Sequence, residues 1–428
     1  MKRNWILATI ALALAACGAV ALMLANDPDD APSAGATANP EEQIAQGRYL
    51  ALAGNCAGCH TVRGGAAYAG GRVIETPFGG VYASNLTPDT ETGLGTWTAD
   101  DFWRALHNGK SKNGALLYPA FPYPNYTRIT RADSDALFTY LRTLAPVRQT
   151  NREPALRFPY NNRFLLAGWR ALYFRPGVFQ PDTTRSTAWN RGAYLVQGPG
   201  HCNACHTGRD ALGGTDANAD LAGGMIPTLN WYAPSLTSDA EAGLGEWQSR
   251  HIIEYLKTGA GERGAAFGPM AEVVYKSLQH LTETDLAAMA EYLKALPPTP
   301  APPAASAPPV AQRDVERVMA RGAKLYEDHC ADCHAADGTG HAPAYPPLSG
   351  NRSLTMRSAA NPIRMVLNGG FPPGTAGNPR PYGMPPFRPL LNDEEVAAVV
   401  SYVRNSWGNR AGFVSAVEVD RYRSAPPD

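Results

Sequence analysis

Six of the seven cysteines in this chain of 428 residues fall into three pentapeptides of one form, Cys-x-x-Cys-His. They are Cys56-Ala57-Gly58-Cys59-His60, Cys202-Asn203-Ala204-Cys205-His206 and Cys330-Ala331-Asp332-Cys333-His334. Neither a zinc site nor a redox-active dithiol needs a histidine immediately after its second cysteine. Covalent haem attachment does: two thiols add across the vinyl groups of one porphyrin, and the adjacent imidazole ligates its iron. The pattern predicts three covalently bound haem c groups. Cys56, Cys59, Cys202, Cys205, Cys330 and Cys333 would attach them, with His60, His206 and His334 as proximal iron ligands. A porphyrin supplies much of a small core, which suits a chain carrying 42 glycines and 37 prolines.

Each pentapeptide sits inside a larger repeat. A Gly-x-x-Leu helix opens it, at Gly47, Gly192 and Gly322, eight to ten residues before the first cysteine. An acid-capped amphipathic helix closes it, over Asp133 to Leu144, Thr282 to Leu296 and Asn392 to Trp407. The first two segments match further at a constant offset of 150: Leu86-Thr87 with Leu236-Thr237, and Gly93-Leu94-Gly95 with Gly243-Leu244-Gly245. This is a duplication, with the third segment a shorter relative. No strand-rich stretch interrupts the pattern, so the body is expected to be mostly helical, with Trp97, Trp247 and Trp407 packing core or haem edge.

The sixth iron ligand sets the task of each haem, because methionine raises the potential and closes the coordination sphere for pure electron transfer. Met384, in Tyr382-Gly383-Met384-Pro385-Pro386, lies fifty residues after His334 and just ahead of the closing helix. Met270, in Phe267-Gly268-Pro269-Met270, holds the same station in the second segment, with Met225 a weaker candidate. Met356 and Met365 are expected in the core. The first segment has no methionine: none occurs between Met23 and Met225, and its corresponding station reads Tyr118-Pro119-Ala120-Phe121-Pro122. His107 is one possible ligand there, against a plainer reading as a solvated helix-end residue. A five-coordinate iron, or a ligand from elsewhere, are the others. His201, His251, His280, His329 and His341 have no partner pattern and are expected at the surface.

Net charge removes one class of function: 38 basic residues balance 38 acidic ones, and a nucleic-acid surface needs an excess of positive charge. No Ser/His/Asp set, positioned carboxylate pair, Walker loop or Gly-x-Gly-x-x-Gly is present, so no catalytic residue is assigned.

The N-terminus begins Met1-Lys2-Arg3 and continues uncharged from Trp5 to Ala25. As a helix this run would span about 31 Å, near the thickness of a bilayer core. Lys2 and Arg3 place its start in the cytoplasm. Leu14-Ala15-Ala16-Cys17 also resembles a lipoprotein processing site, and a cleaved signal peptide is a third possibility. All three deliver the body to the periplasm, anchored by the N-terminal helix or by lipid on Cys17 in the first two. Residues Pro297 to Val310 contain seven prolines in fourteen, an extended spacer reaching up to about 43 Å.

With these motifs, and with Asn85-Leu86-Thr87-Pro88-Asp89, Gly268-Pro269-Met270 and Met384-Pro385-Pro386-Phe387, the chain resembles the three-haem cytochrome c subunits of membrane-bound bacterial dehydrogenases. The alcohol, gluconate, aldehyde and nicotinate dehydrogenase types are the nearest, and the resemblance runs from about Gly47 to Trp407. It implies an all-α fold of three tandem class I cytochrome c domains after an anchor or signal helix. The expected divisions are a helix and tether over 1–42, domains over 43–182 and 183–297, a linker over 298–310, a third domain over 311–410 and a tail over 411–428. It further implies an electron-transfer subunit, not itself an enzyme, that takes electrons from a catalytic dehydrogenase partner and passes them to ubiquinone or an oxidase. Alcohol and gluconate dehydrogenase cytochromes usually carry methionine where Phe121 stands. Phenylalanine there is similar to the cytochromes that accompany molybdenum hydroxylases, which favours that partner over a flavoprotein or quinoprotein. A peroxidase-like enzyme using the first haem, and a module of a terminal oxidase, are the competing readings.

Overall fold

The computed structural model describes residues 39–240, 243–299, 312–342 and 344–425. The expected anchor, Cys17 and most of the proline run lie outside these residues. Among the described residues no helix is long and apolar enough to cross a membrane. The fold divides into two compact units. The first comprises the described residues up to Pro181 with Gln197–His201 and Asp210–Gly214, and the second takes the rest.

In the first unit α1 (Pro40–Ala53) leads into the one-turn α2 (Cys56–His60), followed by a hairpin of β1 (Val73–Thr76) and β2 (Gly79–Tyr82). Then come α3 (Ala99–Asn108), α4 (Tyr123–Tyr126), α5 (Arg131–Arg142), β3 (Ala155–Leu156) and α6 (Leu165–Tyr173). β3 pairs antiparallel with the start of β2, Leu156 opposite Gly79. The starts of α3 and α5 follow from short polar side chains that satisfy the free N–H groups of a first turn. Thr98 Oγ1 accepts from Asp101 N while Thr98 N donates to the Asp101 carboxylate, and Thr130 Oγ1 accepts from Asp133 N. The core joins Leu50, Leu94, Phe102, Leu106, Tyr126, Ile129, Leu137 and Leu141.

The second unit contains α7 (Thr187–Gln197, its last residue in the first unit), α8 (Asn203–His206), and a hairpin of β4 (Gly224–Ile226) and β5 (Trp231–Ala233). After these come α9 (Ser249–Thr258), the short β6 (Ala260–Gly261) and β7 (Gly264–Ala265), α10 (Gly268–Lys276) and α11 (Glu283–Ala295). Beyond the proline run lie α12 (Gln312–His329), α13 (Ala331–His334), α14 (Arg352–Thr355), α15 (Ala360–Asn368), α16 (Asp393–Arg404) and α17 (Ala416–Arg423). Helix α17 lies in the stretch read as a tail, and it buries Val419 and Tyr422 in the core that Tyr326, Ile363, Val396 and Val400 build.

One device recurs in all three helical segments: the opening helix crosses the closing helix at its glycine. A Cβ on Gly47, Gly192 or Gly322 would collide with the backbone of Ala136, Ala288 or Ala398 respectively. Hydrogen is the only side chain that lets two backbones approach so closely, which explains the Gly of each Gly-x-x-Leu. A second device marks the duplication. Arg142 donates to the carbonyls of Leu94 and Gly95, and Lys294 to those of Leu244 and Gly245, so each closing helix clasps its Gly-Leu-Gly loop with a cation.

The proline run joins parts that touch. Asn361 on α15 brackets the backbone of Tyr232 on β5, its Oδ1 accepting from Tyr232 N (2.9 Å) and its Nδ2 donating to Tyr232 O (2.8 Å). Thr375 Oγ1 donates to Thr258 O at the end of α9. The spacer expected to hold the last third of the chain away instead links two bodies packed as one unit.

Candidate haem sites

Each pentapeptide lies at a tight turn after its opening helix, and the same two hydrogen bonds fix its histidine. His60 Nδ1 lies 2.7 Å from Ser84 O, His206 Nδ1 2.7 Å from Pro234 O, and His334 Nδ1 3.1 Å from Pro346 O. A carbonyl only accepts, so Nδ1 carries the hydrogen and Nε2 keeps its lone pair, the arrangement of a ligating imidazole with a fixed orientation. The backbone of each histidine is pinned as well: Gly70, Gly223 and Gly340 N donate to the carbonyls of His60, His206 and His334. All three glycines have φ between 68° and 87°, a left-handed conformation that glycine adopts without strain.

Electrostatics favour the neutral ligand. Burial lowers the pKa of all three imidazoles; for His206 it falls to about 4, with the Arg352 cation adding to the effect against the Pro234 carbonyl. Burial first, and the second cysteine of each pair next, push the Cys56, Cys202 and Cys330 thiols up to about 12. A dithiol built for disulfide exchange needs a depressed thiol pKa, and the first thiol of each pair is tuned the other way. None of the six cysteines is in a disulfide. Among the described residues no three His, Cys, Asp or Glu side chains gather as a protein-only metal site. The donor set therefore fits a porphyrin: two thiols for the vinyl groups and one imidazole with its Nε2 lone pair for iron.

The candidate methionines lie in distinct settings, and Met365, expected in the core, is only partly buried. Met270 is partly buried in the first turn of α10, beside Phe267 at its N-cap. Met384 pairs with Gly370 through two backbone hydrogen bonds of 2.8 and 3.0 Å, and Gly370 lies alongside the Phe267 ring. The segments carrying Met270 and Met384 thus abut. Met225 packs against the apolar core of α12, α15 and α16, and Met356 is buried with its carbonyl accepting from Arg404. In the first unit Phe121 packs 5.3 Å from Tyr126 and against the cluster that also receives Cys56.

Two expectations about histidines are corrected. His107 is not solvated: it is 0 % exposed, stacked on Trp103 at 4.4 Å, with Nδ1 3.4 Å from Thr127 Oγ1. Helix α3 turns this face inward because Phe102, Trp103, Ala105 and Leu106 share its apolar side. His251 is also buried, its Nδ1 accepting from Gln248 N at the start of α9 and its Nε2 3.2 Å from Glu262. His201 is half-buried, 3.3 Å from Gly54 O and edge-on to Tyr126. His280, His329 and His341 are exposed.

Sequence reasoning missed Arg352 altogether. It opens α14, beyond the third pentapeptide, yet its guanidinium donates to Ser235 O and lies 4.8 Å over the Trp247 ring. A partner reached across more than a hundred residues leaves no local signal.

The cytochrome c family model matches residues 44–145, 190–297 and 319–407. Among curated proteins the chain is 38 % identical to the alcohol dehydrogenase (quinone) cytochrome c subunit of Gluconobacter oxydans, over 99 % of this chain and 88 % of that one. It is 40 % identical to the gluconate 2-dehydrogenase cytochrome c subunit of Pantoea cypripedii, over 89 % of each. With a nicotinate dehydrogenase subunit of Pseudomonas putida it shares 41 % identity over 85 % of this chain, but that match covers 30 % of the longer relative. On its three matched segments and these relatives, the chain belongs to the cytochrome c family, among the cytochrome c subunits of dehydrogenases.

Proposed function

We propose that the chain is a periplasmic, membrane-tethered electron-transfer subunit carrying three haem c groups. It serves a catalytic dehydrogenase partner and hands electrons on to ubiquinone or the respiratory chain. The observation that carries this reading is the threefold recurrence of one histidine geometry beside a cysteine pair that forms no disulfide. Haem c supplies reversible one-electron Fe(III)/Fe(II) chemistry when bound. The chain's own part is to hold and tune it. His60, His206 and His334 present Nε2 to the proximal side, and Met270 and Met384 are the distal ligands of the second and third haems. Catalysis belongs to the partner, in keeping with the dehydrogenase subunits named among the relatives. Phe121 and the nicotinate dehydrogenase relative support a molybdenum hydroxylase in that role.

The intact mass of the mature protein tests the haem count. Three haem additions are expected, and Cys→Ala at both positions of any one pair removes one addition; a variant that keeps three sinks the assignment. Purification from solubilised membranes identifies the partner, and recovery of an oxidase without a dehydrogenase would overturn the subunit reading.

One observation favours a second property. With Phe121 at the methionine station and His107 stacked on Trp103, the first haem would lack a methionine and bind small ligands. Cyanide titration of the oxidised protein decides it: saturation at one haem of three is expected, and an inert low-spin spectrum refutes it.

A further inference from the structure

Among the described residues, the guanidinium of Arg352 meets only groups that cannot balance its charge. Its Nη1 donates to Ser235 O at 3.0 Å and lies 3.5 Å from Gly243 O, and the Trp247 ring sits 4.8 Å away. These are two neutral carbonyls and one aromatic face. No carboxylate among the described residues pairs with it, and burial lowers its pKa to about 10. Two other inward-facing arginines have carboxylate partners, Arg131 with Asp100 and Asp135 and Arg191 with Asp285. Arg404, like Arg352, donates to backbone carbonyls, those of Gly412 and Met356; what distinguishes Arg352 is its place beside the second pentapeptide. An unbalanced guanidinium costs several kcal/mol in such surroundings unless an anion joins it. A glutamine would make the same carbonyl hydrogen bonds without that cost.

The position of the cation says which anion. Ser235 directly follows Pro234, whose carbonyl holds His206 Nδ1, and Trp247 belongs to the Gly-Leu-Gly-x-Trp loop of the same segment. The cation thus stands beside the histidine of the second pentapeptide, although it is carried by α14 in the third segment. A haem c brings two propionate carboxylates, and a planar guanidinium matches a carboxylate better than any other side chain does.

We infer that Arg352 is the propionate-binding residue of the haem attached at Cys202 and Cys205, supplied to it by the neighbouring segment. This rests on the haem reading above and adds to it a function for the contact between the two segments. The ion pair locks the third segment onto the second, and it sets the potential of the second haem. Removing the guanidinium leaves an uncompensated carboxylate near the iron, which favours the ferric state.

Potentiometric titration of the full-length three-haem protein resolves this, with Met270→Ala marking which transition belongs to the second haem. In Arg352→Gln that transition is expected to shift toward the ferric state by roughly tenfold in equilibrium constant, or 59 mV for one electron. The other two transitions stay in place, and Arg352→Lys recovers at least half of the shift. An unmoved second transition, or equal movement of all three, overturns the proposal. Should the glutamine variant fail to mature, Arg352→Ala takes its place: displacement of the second transition toward the ferric state supports the proposal, and none refutes it. A protein with fewer than three haem additions by mass, or with no transition that responds to Met270→Ala, fails earlier and brings down the haem assignment itself.

Discussion

On the three-haem reading proposed above, a single side chain separates the first haem site from the other two. Phe121 occupies the station where a methionine sulfur would complete an iron's coordination, and its ring packs 5.3 Å from Tyr126 in the cluster that also receives Cys56. A thioether at that position fits the same volume, since Phe and Met are both large, unbranched at Cβ and apolar. Phe121→Met is therefore expected to fold and to give the first haem a soft sixth ligand. Its high-spin absorbance is replaced by a low-spin one, its reduction equilibrium moves at least tenfold toward the ferrous form, and cyanide binding weakens by a similar factor. Unchanged spectra with unchanged cyanide affinity would show that the distal ligand comes from somewhere else. At this scale the sequence was legible wherever chemistry demands a residue type. The three cysteine pairs and the histidine that follows each, alike in its Nδ1 hydrogen bond, could be read directly. His107 and His251 could not, because burial of a histidine depends on which helix face turns inward, and neutral imidazole has no obligatory pattern.

The helices recur because one close crossing recurs. Gly47, Gly192 and Gly322 each bring an opening helix against the backbone of a closing helix, at Ala136, Ala288 and Ala398. Since Gly192 is helical, alanine there gains intrinsic propensity of about 1 kcal/mol, but its methyl group must displace the Ala288 carbonyl. Overpacking of this kind costs about 1–3 kcal/mol, so the net effect of Gly192→Ala is destabilising. Thermal unfolding should report a lowered Tm, by about 2–4 °C per kcal/mol of net loss, whereas the half-buried Gly177, with open space where a Cβ would stand, tolerates alanine without loss. A raised Tm in Gly192→Ala would show that the crossing relaxes freely. The opening and closing helices were visible in sequence through capping residues and apolar spacing. The clasp of Arg142 and Lys294 on their loops was not, because different cations do the same work at positions that do not align at the common offset.

The second unit is one body built from two of the Cys-x-x-Cys-His segments, and that changes what the proline run is for. Pro297 to Val310 reads as a spacer, yet Asn361 brackets the Tyr232 backbone, Thr375 reaches Thr258, and Phe267 lies alongside Gly370. Each contact is long-range in sequence, so composition could show the linker but not that its ends are held together by other means. If the contacts hold the segments, covalent continuity through the run is dispensable once folding is complete. Limited proteolysis within 300–311 is expected to leave both fragments, each with its haem, co-eluting on size exclusion at the mass of the uncut protein. Asn361→Leu removes both hydrogen bonds and leaves the Tyr232 N–H and C=O without that partner, a loss of about 2 kcal/mol, or roughly thirtyfold in fragment dissociation. The nicked Asn361→Leu protein should then separate at micromolar dilution where the nicked parent does not. Fragments of the parent that part immediately after cleavage would return the proline run to the role of a tether between independent bodies. Joined elution would instead mean that the second and third haems are positioned by a packed interface, whose geometry survives when the chain between them is cut.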